Sequence, residues 1–136
     1  MASLLKISEA ASLALHTMSY IAAHKEKYST THEIAQTLQV SENHLSKVCQ
    51  RLVKAGLIHA VRGPGGGMKL GKPADQINLK EIYEIIDGHI GNNFCLLGKP
   101  VCDGSGCVLG SLLKSVNEEI KSYFENTTLA LFEVKN

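Results

Sequence analysis

Apolar positions along the chain fall into a succession of helical and strand-like periods. From about Ser8 to His24, Leu13, Ala14, Met18, Ile21 and Ala22 recur three and four residues apart, which predicts an amphipathic helix with one buried face. Lys25 to Ser29 is polar and reads as a connection. Thr30 and Glu33 then have the spacing of a capping box, with Ile34, Ala35 and Leu38 forming the apolar stripe of a short second helix that ends near Leu38. Gln39 and Val40 alone separate it from Ser41, a favoured N-cap residue. Val40 and Leu45 stand at the positions of a hydrophobic staple, and a third helix carrying Leu45, Val48 and Leu52 closes at Gly56. Two short helices joined by a tight, capped turn predict a helix-turn-helix.

Leu57 to Val61 is apolar and strand-like, Arg62-Gly63-Pro64-Gly65-Gly66-Gly67 is a glycine-rich reversal, and Met68-Lys69-Leu70 reads as the returning strand. A hairpin directly after the third helix predicts a wing. A phosphate-cradling nucleotide loop is excluded, because no Gly-Lys-Ser/Thr ending follows the glycines and no helix begins there. Asn78 to Asp87 predicts a fourth helix, with Asn78 and Glu81 at capping positions, Leu79, Ile82, Ile85 and Ile86 as its stripe, and Gly88 ending it. Periodicity disappears from His89 to Gly106. It returns from about Cys107 to Thr127, where Leu109, Leu112, Leu113, Val116, Ile120, Tyr123 and Phe124 follow the spacing of a helix seam. A long helix lying beyond a complete small core needs a partner surface, and a second copy of the chain is the simplest one.

The expected fold is thus mainly α with a small β-hairpin: a winged helix-turn-helix domain over 1–88, a cysteine loop over 89–108 and a dimerisation helix over 107–128. The 136 residues suit one compact domain with an added element. No apolar run reaches membrane-spanning length and no signal-peptide layout opens the sequence, so the expected location is cytoplasmic and away from membranes.

Net charge is only +1, but its distribution is uneven. Lys47, Arg51, Lys54, Arg62, Lys69 and Lys72 face Glu42 alone between Ser41 and Lys72, giving that segment +5 and the remainder −4. Such a local basic surface fits a phosphate-binding face or a solvated lysine-rich one. On the third helix, packing takes Leu45, Val48 and Leu52 and leaves Ser41, Asn43, His44, Ser46, Lys47, Gln50, Arg51 and Lys54 outward. Short polar groups near the start of a helix suit base edges in a major groove, and cations further along suit phosphates. Arg62 and Gly63 at the base of the wing complete the candidate DNA-binding set.

Cys95, Cys102 and Cys107 lie within thirteen residues, separated by six and four. Thiolates are soft ligands that suit an iron–sulfur cluster, and Gly98, Gly104 and Gly106 permit the bends that would fold three of them around one core. Zinc is the rival, although the Cys-x-x-Cys pairs common in structural zinc sites are absent. The fourth cysteine, Cys49, sits on the third helix and reads as a small, semi-buried residue.

The run Ser41-Glu42-Asn43-His44-Leu45-Ser46-Lys47-Val48, with Arg51 through Leu57 and Val61-Arg62-Gly63-Pro64-Gly65-Gly66-Gly67, resembles the signature of the Rrf-type regulators, the IscR- and NsrR-like group. The resemblance implies a homodimeric winged-helix repressor or activator that binds a palindromic double-stranded operator. It further implies one iron–sulfur cluster per subunit, 4Fe-4S or 2Fe-2S, with DNA contacts from Ser41, Asn43, His44 and Arg62. Nitric oxide, oxygen, redox state and cluster supply are the inputs such a cluster admits. The resemblance leaves the fourth ligand open. The position where IscR-like members place a histidine is Gly110, and the position where NsrR-like members place a partner-derived carboxylate is Ser12. A related redox-sensing branch uses a first-helix histidine, which points to His16 reaching across the dimer, ahead of Glu9, Ser12 and His89. The class-distinct alternative is a small cysteine-based redox or electron-transfer enzyme. Against it stands the lack of a Cys-x-x-Cys pair, of a nucleophile–base pair and of a cofactor fingerprint.

Overall fold

The computed structural model describes residues 7–89 and 108–133. Its helices are α1 (Glu9–Ala23), α2 (Thr31–Leu38), α3 (Glu42–Lys54), α4 (Leu79–Asp87) and α5 (Gly110–Asn126), with strands β1 (Ile58–Val61) and β2 (Gly67–Leu70) between α3 and α4. Short 3-10 turns cover Ala74–Gln76 and Leu129–Phe132.

Four helices begin on a side-chain cap, which fixes their start within the sequence. Ser8 Oγ accepts from the Ala11 N–H at 3.0 Å, Thr30 Oγ1 from Glu33 at 3.1 Å, Ser41 Oγ from His44 at 2.9 Å and Asn78 Oδ1 from Glu81 at 2.8 Å. Each satisfies one of the orphan donors of a first helical turn. The turn between α2 and α3 is tight because Gln39 takes a left-handed conformation (φ 58°) and Val40 N–H donates back to the Ala35 carbonyl at 3.1 Å. At the end of α3, Gly56 (φ 85°) donates to Val53 and Leu57 to Leu52, both at 3.0 Å. That paired reversal needs a left-handed residue, which glycine supplies without a Cβ clash.

The core lies between α1 and the helices around it. Ala11, Ala14, Met18, Ile21 and Ala22 of α1, Ile34 of α2, Leu45 and Leu52 of α3, Ile82 of α4, Phe124 of α5 and Leu129 are all buried in it. β1 and β2 are antiparallel, with Ile58 opposite Leu70 and Val61 opposite Gly67. The hairpin does not stand free. Met68 N–H donates to the Ser29 carbonyl at 2.8 Å and Ser29 N–H returns to Met68 at 3.0 Å, which pins β2 to the loop before α2.

The last helix differs from expectation in two ways. It begins at Gly110 rather than Cys107, without a side-chain cap, and Cys107 itself lies outside the described residues. It is also not an appendage to a finished core. Phe124 packs edge-on against Tyr83 of α4, with ring centroids 5.8 Å apart, and the chain then returns beneath α1. There Leu129 N–H donates to the Ile77 carbonyl at 3.0 Å and the Leu129 side chain is fully buried. The N-terminal half of α5 is the exposed part. Leu112 is 59% exposed, whereas Leu113, Val116 and Ile120 are half-buried.

Candidate nucleic-acid interface

The cap at Ser41 and the reversal at Gly56 hold α3 with one face on the core and the other outward. Leu45, Val48, Cys49 and Leu52 are buried, and Ser41, Asn43, His44, Lys47, Gln50 and Lys54 are exposed. Cys49 is thus more thoroughly packed than the sequence suggests, and burial pushes its thiol pKa up to about 11. Beside α3, the wing loop carries exposed Arg62 and Gly63, with Gly63 (φ 95°) and Gly65 (φ 76°) in the left-handed region. A cleft of about 500 Å³ runs between the two, lined by Thr31, Ser46, Gln50, Lys54, Val61 and Arg62, with Cys49 among its walls. Polar donors on a helix and a cation on the neighbouring wing are therefore presented side by side, as a groove reader requires. Lys69 of β2 is held over the Tyr28 ring, 4.8 Å from its centroid. Glu42, the acidic residue of this face, is paired with the ring Nδ1 of His32.

Arg51 is exposed with the rest of the outward set, but its guanidinium is also tied to α4. Its Nη2 donates to the carbonyls of Ile85 (2.8 Å) and Ile86 (3.2 Å), the last turn of α4. Sequence periodicity places it correctly on the polar side of α3, but nothing in the local sequence indicates that α4 ends against that side.

The cysteine segment is less accessible to geometry. Cys95, Cys102 and Cys107 lie outside the described residues, and among the described residues no group of three His, Cys, Asp or Glu side chains is gathered for a metal. The first-helix candidates are in view. Glu9, Ser12 and His16 share an open cleft of about 800 Å³ with Leu38, Val40, His44 and Phe124. His16 is exposed, and its Nδ1 lies 2.7 Å from the Ser12 carbonyl. A carbonyl accepts only, so Nδ1 is the donor in that contact, and Nε2 is the ring nitrogen left for another partner. His89 is committed differently, with its Nδ1 3.0 Å from Glu84 Oε2. Among the described residues no helix is long and apolar enough to cross a membrane.

Comparison with known proteins agrees with this arrangement. HTH-type transcriptional regulator IscR of Yersinia pseudotuberculosis serotype O:1b (strain IP 31758) is 35% identical over 99 residues, covering 72% of this chain and 60% of that protein. The chain thus aligns with well under two thirds of that relative. Among solved structures, CymR (YrzC), the global cysteine regulator of B. subtilis, superposes with a TM-score of 0.76 at 28% identity, covering 93% of this chain and 95% of that one. IscR of T. potens gives 0.70 at 26% identity, covering 93% and 85%. These relatives are transcriptional regulators rather than enzymes. The family described as Rrf2, iron-dependent transcriptional regulator, matches residues 7–132. This chain belongs to the Rrf2 family of winged-helix transcriptional regulators.

Proposed function

We propose that the chain is a homodimeric, cytoplasmic DNA-binding regulator, acting chiefly as a repressor, whose operator affinity is set by an iron–sulfur cluster. Residues 1–88 are the DNA-binding unit, 89–108 the cysteine-bearing segment and 107–128 the dimerisation region, which holds α5. DNA reading is supported most directly by the face that α3 and the wing share. Ser41, Asn43, His44 and Gln50 meet base edges there, Lys47 and the backbone at Gly63 meet the phosphates, and Arg62 at the base of the wing reaches into a groove. The exposed apolar half of α5 around Leu112 supports pairing with a second copy, which would place two recognition helices on the half-sites of a palindrome.

Cys95, Cys102 and Cys107 would hold the cluster, 4Fe-4S or 2Fe-2S and one per subunit, with His16 of the partner as fourth ligand. Nε2 of His16, without a partner among the described residues and on an exposed face of α1, fits that donor set. A bound cluster supplies an inorganic core that reacts with nitric oxide or oxygen and ties three thiolates together. The protein's own part is spacing: the segment after α4 sets how the two DNA-binding units sit. A change of a few kcal/mol between states then gives a large change in occupancy.

Anaerobic purification followed by iron and sulfide analysis tests the cluster. Stoichiometric iron and sulfide with visible absorbance that bleaches under nitric oxide, and operator affinity changing in step, is the expected result. Zinc alone, or no metal with retained DNA binding, sinks the cluster in favour of a cluster-free regulator. Electron transfer without salt-dependent DNA affinity sinks the regulator itself.

A further inference from the structure

The last turn of α4 is where three parts of the molecule meet. Asp87 receives the N-terminus of α1, its Oδ1 accepting from Ser8 Oγ at 2.6 Å and its Oδ2 from Ser8 N–H at 3.3 Å. The carbonyls of Ile85 and Ile86 stand at this terminus without a helical donor among the described residues, and α4 has no basic residue of its own in its last turn. Arg51 fills both needs from α3, bringing two N–H donors and a positive charge to the negative end of the helix. Two residues beyond that turn the chain leaves toward Cys95, Cys102 and Cys107.

We propose that Arg51 is a positioning residue for DNA recognition: it ties the recognition helix to the last turn of α4, so that the state of the cysteine-bearing segment continuing from that turn is passed to α3. The coupling rests on the regulatory reading above. The tether itself rests on geometry alone. Arg51 stands in the last turn of α3, directly before the buried Leu52, so a shift of the α4 carbonyls pulls on the C-terminal turn of the reading helix where it is seated in the core. A lysine in its place keeps the charge but offers one point of donation, and a methionine keeps the stem without any donor.

The experiment uses the full chain and a duplex that the chain selects from a randomised pool. Operator affinity is measured over a series of salt concentrations for the unmutated protein, R51M and R51K, each with its three loop cysteines intact and each with all three changed to serine. Without substitution at Arg51, removing the thiols changes affinity about tenfold. In R51M the same change stays within about twofold, the size of ordinary non-additivity, and R51K falls between. The slope of log affinity against log salt is unaltered in R51M, because no phosphate contact is lost. A slope reduced by about 1.8 in R51M, about 0.9 for each subunit, makes Arg51 a phosphate contact and overturns the proposal. An undiminished tenfold effect of the thiols in R51M overturns it too, since the signal then travels by another route. Equal binding with and without the thiols in the unmutated chain refutes the regulatory reading and the coupling with it. The R51M slope still decides whether Arg51 positions the helix or touches DNA. A melting curve for each variant confirms that a folded protein was compared.

Discussion

Ser29 and Met68 exchange two backbone hydrogen bonds, at 2.8 and 3.0 Å, and so attach the wing to the body of the domain. A wing held only by its own two strands would be marginal, since an isolated hairpin has little stability in water. The exchange makes the loop before α2 a short third partner for β2 and sets the distance between Arg62 and the recognition helix.

Gly67 is where this attachment is most easily broken. A Cβ there would lie 2.7 Å from the Ser29 carbonyl oxygen, at a φ of 143° that disfavours other residues. Gly67→Ala is expected to cost about 2 kcal/mol and to lower the melting temperature by about 7 °C. It also displaces the wing, so DNA affinity falls about tenfold or more with the α3 residues untouched. Unchanged melting and binding would show that the wing does not depend on this contact.

The Cys49 thiol gives the chain an alkaline limit. Its pKa is raised by burial from 9.0 to about 11, so folding favours the neutral thiol. The stability this contributes is fully present below pH 9 and is lost as pH rises through about 11. Across that window the stability of the unmutated chain, less that of C49A, is expected to shrink by up to about 2 kcal/mol. The same burial leaves roughly one thiol in a thousand ionised at pH 8. Iodoacetamide at that pH therefore spares Cys49 until denaturant is added, which peptide mass spectrometry would detect.

Thr17 is fully buried on α1 and its hydroxyl has no hydrogen-bond partner among the described residues. Thr17→Val keeps the shape and removes the orphan group. A gain of about 1 kcal/mol, or about 3 °C in melting temperature, is expected. Destabilisation by the same amount would mean that the hydroxyl is satisfied in solution.

The two ends of α5 are expected to respond oppositely. Leu112 is 59% exposed and Phe124 is buried against Tyr83. Leu112→Asp should leave the melting of the monomer nearly unchanged and shift sedimentation from dimer toward monomer. Phe124→Ala should cost about 3–5 kcal/mol through the cavity it leaves. A Leu112→Asp chain that remains dimeric would place the pairing surface elsewhere.

Much of the fold is written locally. Ser8, Thr30, Ser41 and Asn78 each cap a helix through a side chain that reaches only three residues ahead, and the reversal at Gly56 closes α3 with bonds spanning three and five. Interactions of that range leave a mark on neighbouring residue types, so the helices, the tight turn and the glycine wing can be read without a structure. The partners of Arg51 cannot, because they lie 34 and 35 residues away and are backbone carbonyls that carry no sequence signature. The seating of β2 on Ser29 is hidden for the same reason. The expected start of α5 at Cys107 came from its apolar spacing alone, with no capping residue to fix it, and Gly110 is where the described helix begins. Of the residues proposed as cluster ligands, His16 has a described position. Cys95, Cys102 and Cys107 remain known by their spacing.

Leu129–Phe132 packs against α1, more than a hundred residues earlier in the chain, and Leu129 is fully buried there. During synthesis, then, the part of the first helix that this segment covers stays exposed after α2, α3 and α4 have already been made. Every reading element of the domain is made well before that segment, yet none rests on a closed core until it arrives. A fragment released early is therefore a target for chaperones and proteases rather than a competitor for operator DNA.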